Sequence, residues 1–276
     1  MSLSTTEKDL SAQQLTPKFT DDEVAQFQRD GFIVVRGLAD QSLVSQMRNV
    51  TDAGLVQEIP PLEYEADLHY PGAPESRDAA GGKTVRRLLQ AHSRHIVFTN
   101  WISRPTLVAR LEQLLGAPVV MPLAHHNCIM TKHPDFSSGT GWHQDIRYWG
   151  FSRPELVSVW LALGDEFPEN GSLYVIPGSH LGTLDRSQLD ESLFFRTDLP
   201  ENQPLLDRAR AVELHAGDAL FFHCKTLHSA RRNSTAEVKY SVVFTFRPQD
   251  NLPRPRTRSA SQPEIILPSP VTAAVE

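Results

Sequence analysis

His143 and Asp145 stand two positions apart in the run Gly141, Trp142, His143, Gln144, Asp145, directly after a stretch rich in Gly and Ser. In an extended strand, residues i and i+2 project to the same face, so this spacing predicts that one strand aims both side chains at a single ion. An imidazole nitrogen with a hard carboxylate oxygen suits Fe(II), Mn or Zn and needs a third ligand from a neighbouring strand. The segment Phe221, Phe222, His223, Cys224, Lys225, Thr226, Leu227, His228 offers two candidates, His223 and His228. Two histidines and one carboxylate on one octahedral face leave three positions for a chelating cosubstrate and O2, the pattern used in non-haem iron oxygen activation. A His-x-Asp pair alone is common on surface strands, so its context decides its meaning. His69, His92, His95, His180 and His215 fall near helices, loops or turns, where solvated or capping roles are expected.

The elements that must position these residues follow from the rest of the chain. With 276 residues, 40% of them hydrophobic, the sequence can bury one large core. A net charge of -6 and the lack of a sustained Lys and Arg run give no basis for nucleic-acid binding. Residues 1–18 lack the basic-then-apolar order of a secretory signal and read as a mobile leader. No segment approaches the roughly 20 apolar residues of a membrane span, and a soluble, cytoplasmic protein is expected. Cys128 and Cys224 lack a CxxC spacing and read as reduced, buried thiols.

Thr20 and Glu23 form a capping-box pattern ahead of Val24 and Phe27, Gly31 ends that helix, and Phe32 to Val35 make a short apolar strand. Helical spacing marks 42–56 and 105–115. Residues 60–83 carry no periodicity and read as a long loop, a candidate lid. From Val119 onward the chain becomes short β-branched and aromatic runs separated by Gly, Pro, Asn and Asp, with strands predicted at 119–131, 156–163, 173–176, 211–214, 219–223 and 240–246. Helices followed by many short strands predict a mainly β antiparallel sandwich or barrel over 19–248. The tail at 249–276, rich in Pro, Arg and Ser, is expected to be draped over the surface or disordered.

The joint order of motifs resembles the phytanoyl-CoA dioxygenase family. It runs from Trp142, His143, Gln144, Asp145 through Asn170, Gly171, Ser172, Leu173, Tyr174, Val175, Ile176, Pro177, Gly178, Ser179, His180 and Gly217, Asp218, Ala219, Leu220, Phe221, Phe222, His223 to Leu227, His228, Ser229, Ala230. Asp30, Gly31, Phe32, Ile33, Val34, Val35, Arg36, Gly37 is similar to the start of that family's domain, so the likeness runs from about Phe19 to Pro248. The resemblance implies a double-stranded β-helix, a cupin-like jelly roll with flanking helices. It also implies Fe(II) as metal, 2-oxoglutarate as cosubstrate and O2 as oxidant. It selects His228 over His223, with Asn233 and Ser234 matching the residues that follow the family's distal histidine. Asp145 supplies the carboxylate ligand that halogenating members lack, which implies hydroxylation.

For the cosubstrate, the family pattern places an Arg eleven residues after the distal histidine, where this chain has Lys239. A lysine keeps the charge and gives up the bidentate fork. Arg247 or Arg232 is the alternative cation. In the strand through Lys132, alternation sets His126, Cys128 and Met130 on one face, the face of cosubstrate contacts in similar proteins, and His126 is expected to make one; Trp160, in the strand 157–163, matches the position where similar proteins place an aromatic against 2-oxoglutarate, with burial in the core as the competing role of each. Arg147, Trp149 and Arg87 are the expected substrate contacts, which points to a small anionic molecule, hydroxylated at an unactivated C–H bond with release of succinate and CO2. A cupin-like metalloprotein that does not use 2-oxoglutarate and a non-catalytic jelly-roll binding module are the alternatives. Oligomeric state has no signature in the sequence.

Overall fold

The computed structural model describes residues 18–270, so the expected leader at 1–18 lies almost wholly outside the described residues. The first part of the chain is α1 (Asp21–Asp30), β1 (Phe32–Val35), α2 (Gln41–Val56), β2 (Leu62–Tyr64), β3 (Val85–Leu89), α3 (Ala91–Arg94), α4 (Ile96–Ile102) and α5 (Pro105–Leu115). Then come β4 (Val119–Pro122), β5 (Asn127–Lys132), β6 (Thr140–His143), β7 (Val157–Ala162), β8 (Leu173–Val175), α6 (Gln203–Leu206) and β9 (Arg210–Ala211). The last strands are β10 (Ala219–His223), β11 (His228–Ala230), β12 (Lys239–Pro248) and β13 (Glu264–Ile266).

Local chemistry sets the helix ends as the sequence predicts. Thr20 Oγ1 accepts from the Glu23 N–H while the Glu23 carboxylate accepts from the Thr20 N–H, and Gly31, at φ 82°, closes α1 in the left-handed region. Pro105 opens α5 and Gly116 closes it.

The strands form two antiparallel sheets. The larger runs β1, β10, β7, β12, β5, β3, β2, with β4 paired to the end of β12 and β13 paired to β4; the smaller runs β6, β11, β8, β9. Alternation along the central strands divides the core. Val157, Val159 and Leu161 of β7, with Val242, Phe244 and Phe246 of β12, pack with Met47, Trp101, Leu107 and Leu111 from the helices. Their neighbours Trp160, Ala162 and Val243 face the other way and pack with Leu173 and Val175 of β8. The large sheet is thus covered by helices on one side and by the small sheet on the other, the jelly-roll architecture. Because both faces of β7 are covered, its six residues are all buried, and apart from Ser158 they read as an apolar run without two-residue alternation.

Several boundaries differ from the sequence reading. The stretch 119–131 is two strands, β4 and β5, separated by a turn that holds His125 and His126. The 60–83 loop contains β2 and a 3-10 turn, Glu65–Asp67, whose buried Glu65 meets Arg86 at 3.0 Å. The tail is neither simply draped nor without structure. It returns to the sheet as β13, and buried Ser259 bonds both the His125 ring (2.7 Å) and the Gly150 N–H (2.8 Å). Both cysteines are free and buried, and burial pushes the Cys128 thiol up to about 11 and the Cys224 thiol up to about 12.

Candidate metal centre

His143 ends β6, and His228 begins β11 directly opposite it in the ladder of the small sheet. One strand therefore does not supply two ligands, as the spacing suggested. β6 stops at His143, Gln144 stays extended, and Asp145 is the first residue of a 3-10 turn, Asp145–Tyr148. The extended Gln144 preserves the same-side projection of its neighbours, and its amide Nε2 donates to the Lys225 carbonyl at 2.6 Å, tying this turn to the segment before His228. One nitrogen of each histidine and one oxygen of Asp145 lie within 4.8 Å of one another. Asp145 Oδ1 is 3.7 Å from His143 Nε2 and 3.5 Å from His228 Nε2. These gaps are too long for hydrogen bonds and suit three atoms that share one ion.

The orientation of both rings is fixed from behind. His143 Nδ1 donates to the Gly141 carbonyl (2.8 Å) and His228 Nδ1 to the Thr226 carbonyl (3.0 Å), which leaves Nε2 of each as the lone-pair nitrogen facing Asp145. Burial depresses the His143 imidazolium, with the nearby His228 and Arg147 acting in the same direction, so this ring is neutral, the form that binds metal. The donor set and its protonation fit a mononuclear divalent ion. His223 is placed elsewhere: its Nδ1 accepts the Lys225 N–H at 3.1 Å and its ring lies 5.3 Å from that of His180.

Two spaces flank the donor atoms. The inner one, a cavity of about 60 Å³, lies between the sheets and extends from His143 and His228 to Lys132 and Lys239, with Trp160, Arg86 and Arg87 also in its wall. Lys239 lines it, but its Nζ is 3.0 Å from the carboxylate of Glu166, a buried residue that also accepts from Trp160 Nε1 (2.9 Å) and Ser241 Oγ (2.6 Å). The alternative cations are not in this wall: Arg247 is paired with Glu264, and Arg232 donates to the Ser137 carbonyl.

A model of the family described as phytanoyl-CoA dioxygenase matches residues 27–240. The chain belongs to the phytanoyl-CoA dioxygenase family. Ectoine dioxygenase of Nocardia farcinica is 26% identical over 264 residues, 89% of this chain and 84% of that protein. L-proline trans-4-hydroxylase of Streptomyces griseoviridis is 28% identical over 193 residues, covering 63% and 71%. Among solved structures, EctD from S. alaskensis with 2-oxoglutarate and 5-hydroxyectoine superposes with a TM-score of 0.69 at 19% identity, over 87% of this chain and 80% of that one. That likeness carries the fold, in agreement with the two sheets and flanking helices described above.

On the outer side of the donor atoms this family member has a pocket of about 330 Å³, lined by Tyr70, Arg87, His126, Arg147, Trp149 and Arg258 among others. His126 and Arg87 stand between the two spaces. His126 Nδ1 lies 3.5 Å from Asp145 Oδ2 and has no hydrogen-bond partner, while Arg87 is 2.8 Å from Glu63. Arg147 is held between rings, 4.0 Å from the centroid of Phe194 and 4.7 Å from that of Tyr148. Trp149 stacks at 4.7 Å on His125 and meets His126 edge-on at 5.3 Å. Sequence reasoning missed Lys132, Glu166 and Arg258. Lys132 had a signal, since it continues the same-face series His126, Cys128, Met130 and pairs in register with Lys239. Glu166 and Arg258 had none, because both lie outside regular strands.

Proposed function

We propose that the protein is an Fe(II)- and 2-oxoglutarate-dependent hydroxylase of a small anionic molecule, with His143, Asp145 and His228 as iron ligands. The observation that carries this reading is the placement of the three donors between an inner cavity rich in cations and an outer pocket open to a second molecule. The bound iron supplies the oxidising chemistry, in which O2, 2-oxoglutarate and a substrate C–H give the alcohol, succinate and CO2. The chain's own contribution is orientation and shielding. The Gly141 and Thr226 carbonyls aim the imidazoles, Ser158 Oγ lies 3.5 Å from Asp145 Oδ2, and Phe222 and Phe194 pack against the rings of His228 and His143 at 5.1 and 5.8 Å.

Arg147, Arg87 and Trp149 are the proposed substrate contacts. A guanidinium already seated between two aromatic rings has lost its rotamer freedom, so an incoming carboxylate or similar anion meets a preorganised partner. Relatives named for ectoine and L-proline support a small-molecule substrate. The test is succinate formation from 2-oxoglutarate by protein loaded with Fe(II) without air and then exposed to O2, alongside His143→Ala and Asp145→Ala. Each substitution should lower turnover by at least about 100-fold and reduce bound iron. Equal turnover in the substituted proteins would remove these residues from the mechanism.

A further inference from the structure

Four cations face the inner cavity: Arg86, Arg87, Lys132 and Lys239. Three of them have a carboxylate partner. Arg86 is 3.0 Å from Glu65, Arg87 is 2.8 Å from Glu63, and Lys239 is 3.0 Å from Glu166. Lys132 is the exception among the described residues. Its Nζ donates to two main-chain carbonyls, Ser138 at 2.8 Å and Arg231 at 2.5 Å, and its third N–H is left for another acceptor. The side chain is buried, and Gly171 makes room for it. A Cβ at Gly171 would stand 2.6 Å from Lys132 Cδ and 2.7 Å from the Arg231 carbonyl oxygen.

Burying an ammonium beside Arg86 and Lys239 with no acid of its own is costly unless an anion completes the site. Lys239 offers that anion less, because Glu166 has already taken its charge and Ser241 Oγ is 3.2 Å from its Nζ. We propose that Lys132 receives the distal carboxylate of 2-oxoglutarate, and that Lys239 is a positioning residue that holds Glu166 against Trp160 in the cavity wall. The proposal rests on the cosubstrate reading above and departs from the position at which the family pattern places its cation. The cavity supports it: the same space reaches His143 and His228 at one end and Lys132 at the other, so one molecule chelated at the metal can span both.

Burial and the charges of Arg86, Lys239 and Arg232, opposed by Glu65, lower the Lys132 ammonium to about 7. An arriving carboxylate reverses that effect, so cosubstrate binding should take up a proton.

The experiment titrates 2-oxoglutarate, and separately 2-oxobutyrate, which lacks the distal carboxylate, into the anaerobic Fe(II) protein. The visible charge-transfer band of the chelate gives Kd. Lys132→Met should weaken 2-oxoglutarate by about 30-fold, the loss of one charge-assisted hydrogen bond, and leave 2-oxobutyrate within about threefold. The double substitution Lys239→Met with Glu166→Gln, which removes both charges of the pair together, should keep the preference for 2-oxoglutarate within about threefold. An unchanged preference in Lys132→Met, or its loss in the double variant, overturns the assignment. If Lys132→Met binds neither acid, calorimetry on the parent at pH 8 in buffers of different ionisation enthalpy decides. Net proton uptake with 2-oxoglutarate beyond that with 2-oxobutyrate supports Lys132, and none overturns it. A parent that gives no band with 2-oxoglutarate fails the cosubstrate reading itself, and this assignment falls with it.

Discussion

The two metal-facing imidazoles are aimed by main-chain carbonyls two residues earlier in the chain, Gly141 for His143 and Thr226 for His228. A neutral carbonyl fixes the tautomer without adding a negative charge behind the ring, so the charge of the ligand set is that of Asp145 alone. The cavity cations are arranged with less balance, and Lys132 shows it. Its folded value of about 7 lies below the ordinary 10.5. Below pH 7 the group is charged in both states and the full burial penalty opposes folding. Between about pH 7 and 10.5 the unfolded chain holds the proton and the folded chain does not, so stability rises with pH. In metal-free protein, parent stability should therefore gain on that of Lys132→Met by up to about 1.4 kcal/mol per pH unit across this window, read by urea denaturation of both proteins. A difference that stays flat from pH 7 to 10 would show that burial does not lower the Lys132 ammonium. At this scale the legible residues were those whose types and spacing are themselves chemical, His143, Asp145 and the pair His223 and His228. Glu166 was illegible because its role depends on two strands brought beside it by the fold, β7 with Trp160 and β12 with Lys239 and Ser241.

Elements whose hydrophobic period matches their geometry declared themselves: α2 and α5 show helical spacing, and β10 reads as an apolar run. β3 did not, because its Val-Arg-Arg-Leu-Leu sequence buries Arg86 and half-buries Arg87, where a strand pattern expects apolar side chains. Arg86 is tolerated there through Glu65 in the 3-10 turn after β2 and through Ser138, whose hydroxyl accepts from Arg86 at 2.7 Å and donates to Glu65 at 2.5 Å, while Thr140 of β6 accepts from the other guanidinium nitrogen at 2.8 Å. This cluster fastens the 60–83 segment and the approach to β6 onto the large sheet, so it supports one wall of the metal centre. Glu65→Ala leaves the buried guanidinium without its carboxylate and should cost about 3–5 kcal/mol in denaturant unfolding. Replacing Glu65 and Arg86 together by Leu should recover most of that loss, since no charge is then stranded. A loss under about 1 kcal/mol for the single change would mean that the cluster carries no load and that β2 is held by its main-chain pairing alone.

Across the whole molecule, the division of labour is between a large sheet backed by helices and a small sheet that carries two of the three donors, with the chain's last segment closing one side. That segment was the least legible part. Pro, Arg and Ser lower its apolar content, and no periodicity survives in so short a strand as β13. Its fixation comes from contacts distant in sequence: β13 on β4, Ser259 on His125, Glu264 on Arg247 and Leu267 at 2% exposure in the helix-side core. Removing residues 258–276 would expose the surface that Leu267 covers, about 1.5–3 kcal/mol, and strand the buried Arg247, about 3–5 kcal/mol alone. The two losses share neighbours and need not add, so the expected decrease is at least about 3 kcal/mol, with Glu264→Ala giving most of the Arg247 part. The same truncation frees His125, which stacks on Trp149, and deletes Arg258 from the outer pocket. Substrate-side properties should therefore change while the inner cavity, formed within 86–243, still binds 2-oxoglutarate. Denaturant unfolding and the chelate's visible band, measured on one preparation, separate the two effects. A truncated protein as stable as the parent would show that the tail only rests on the sheet, and loss of the band in a folded truncation would show that the two sides of the metal centre are not independent.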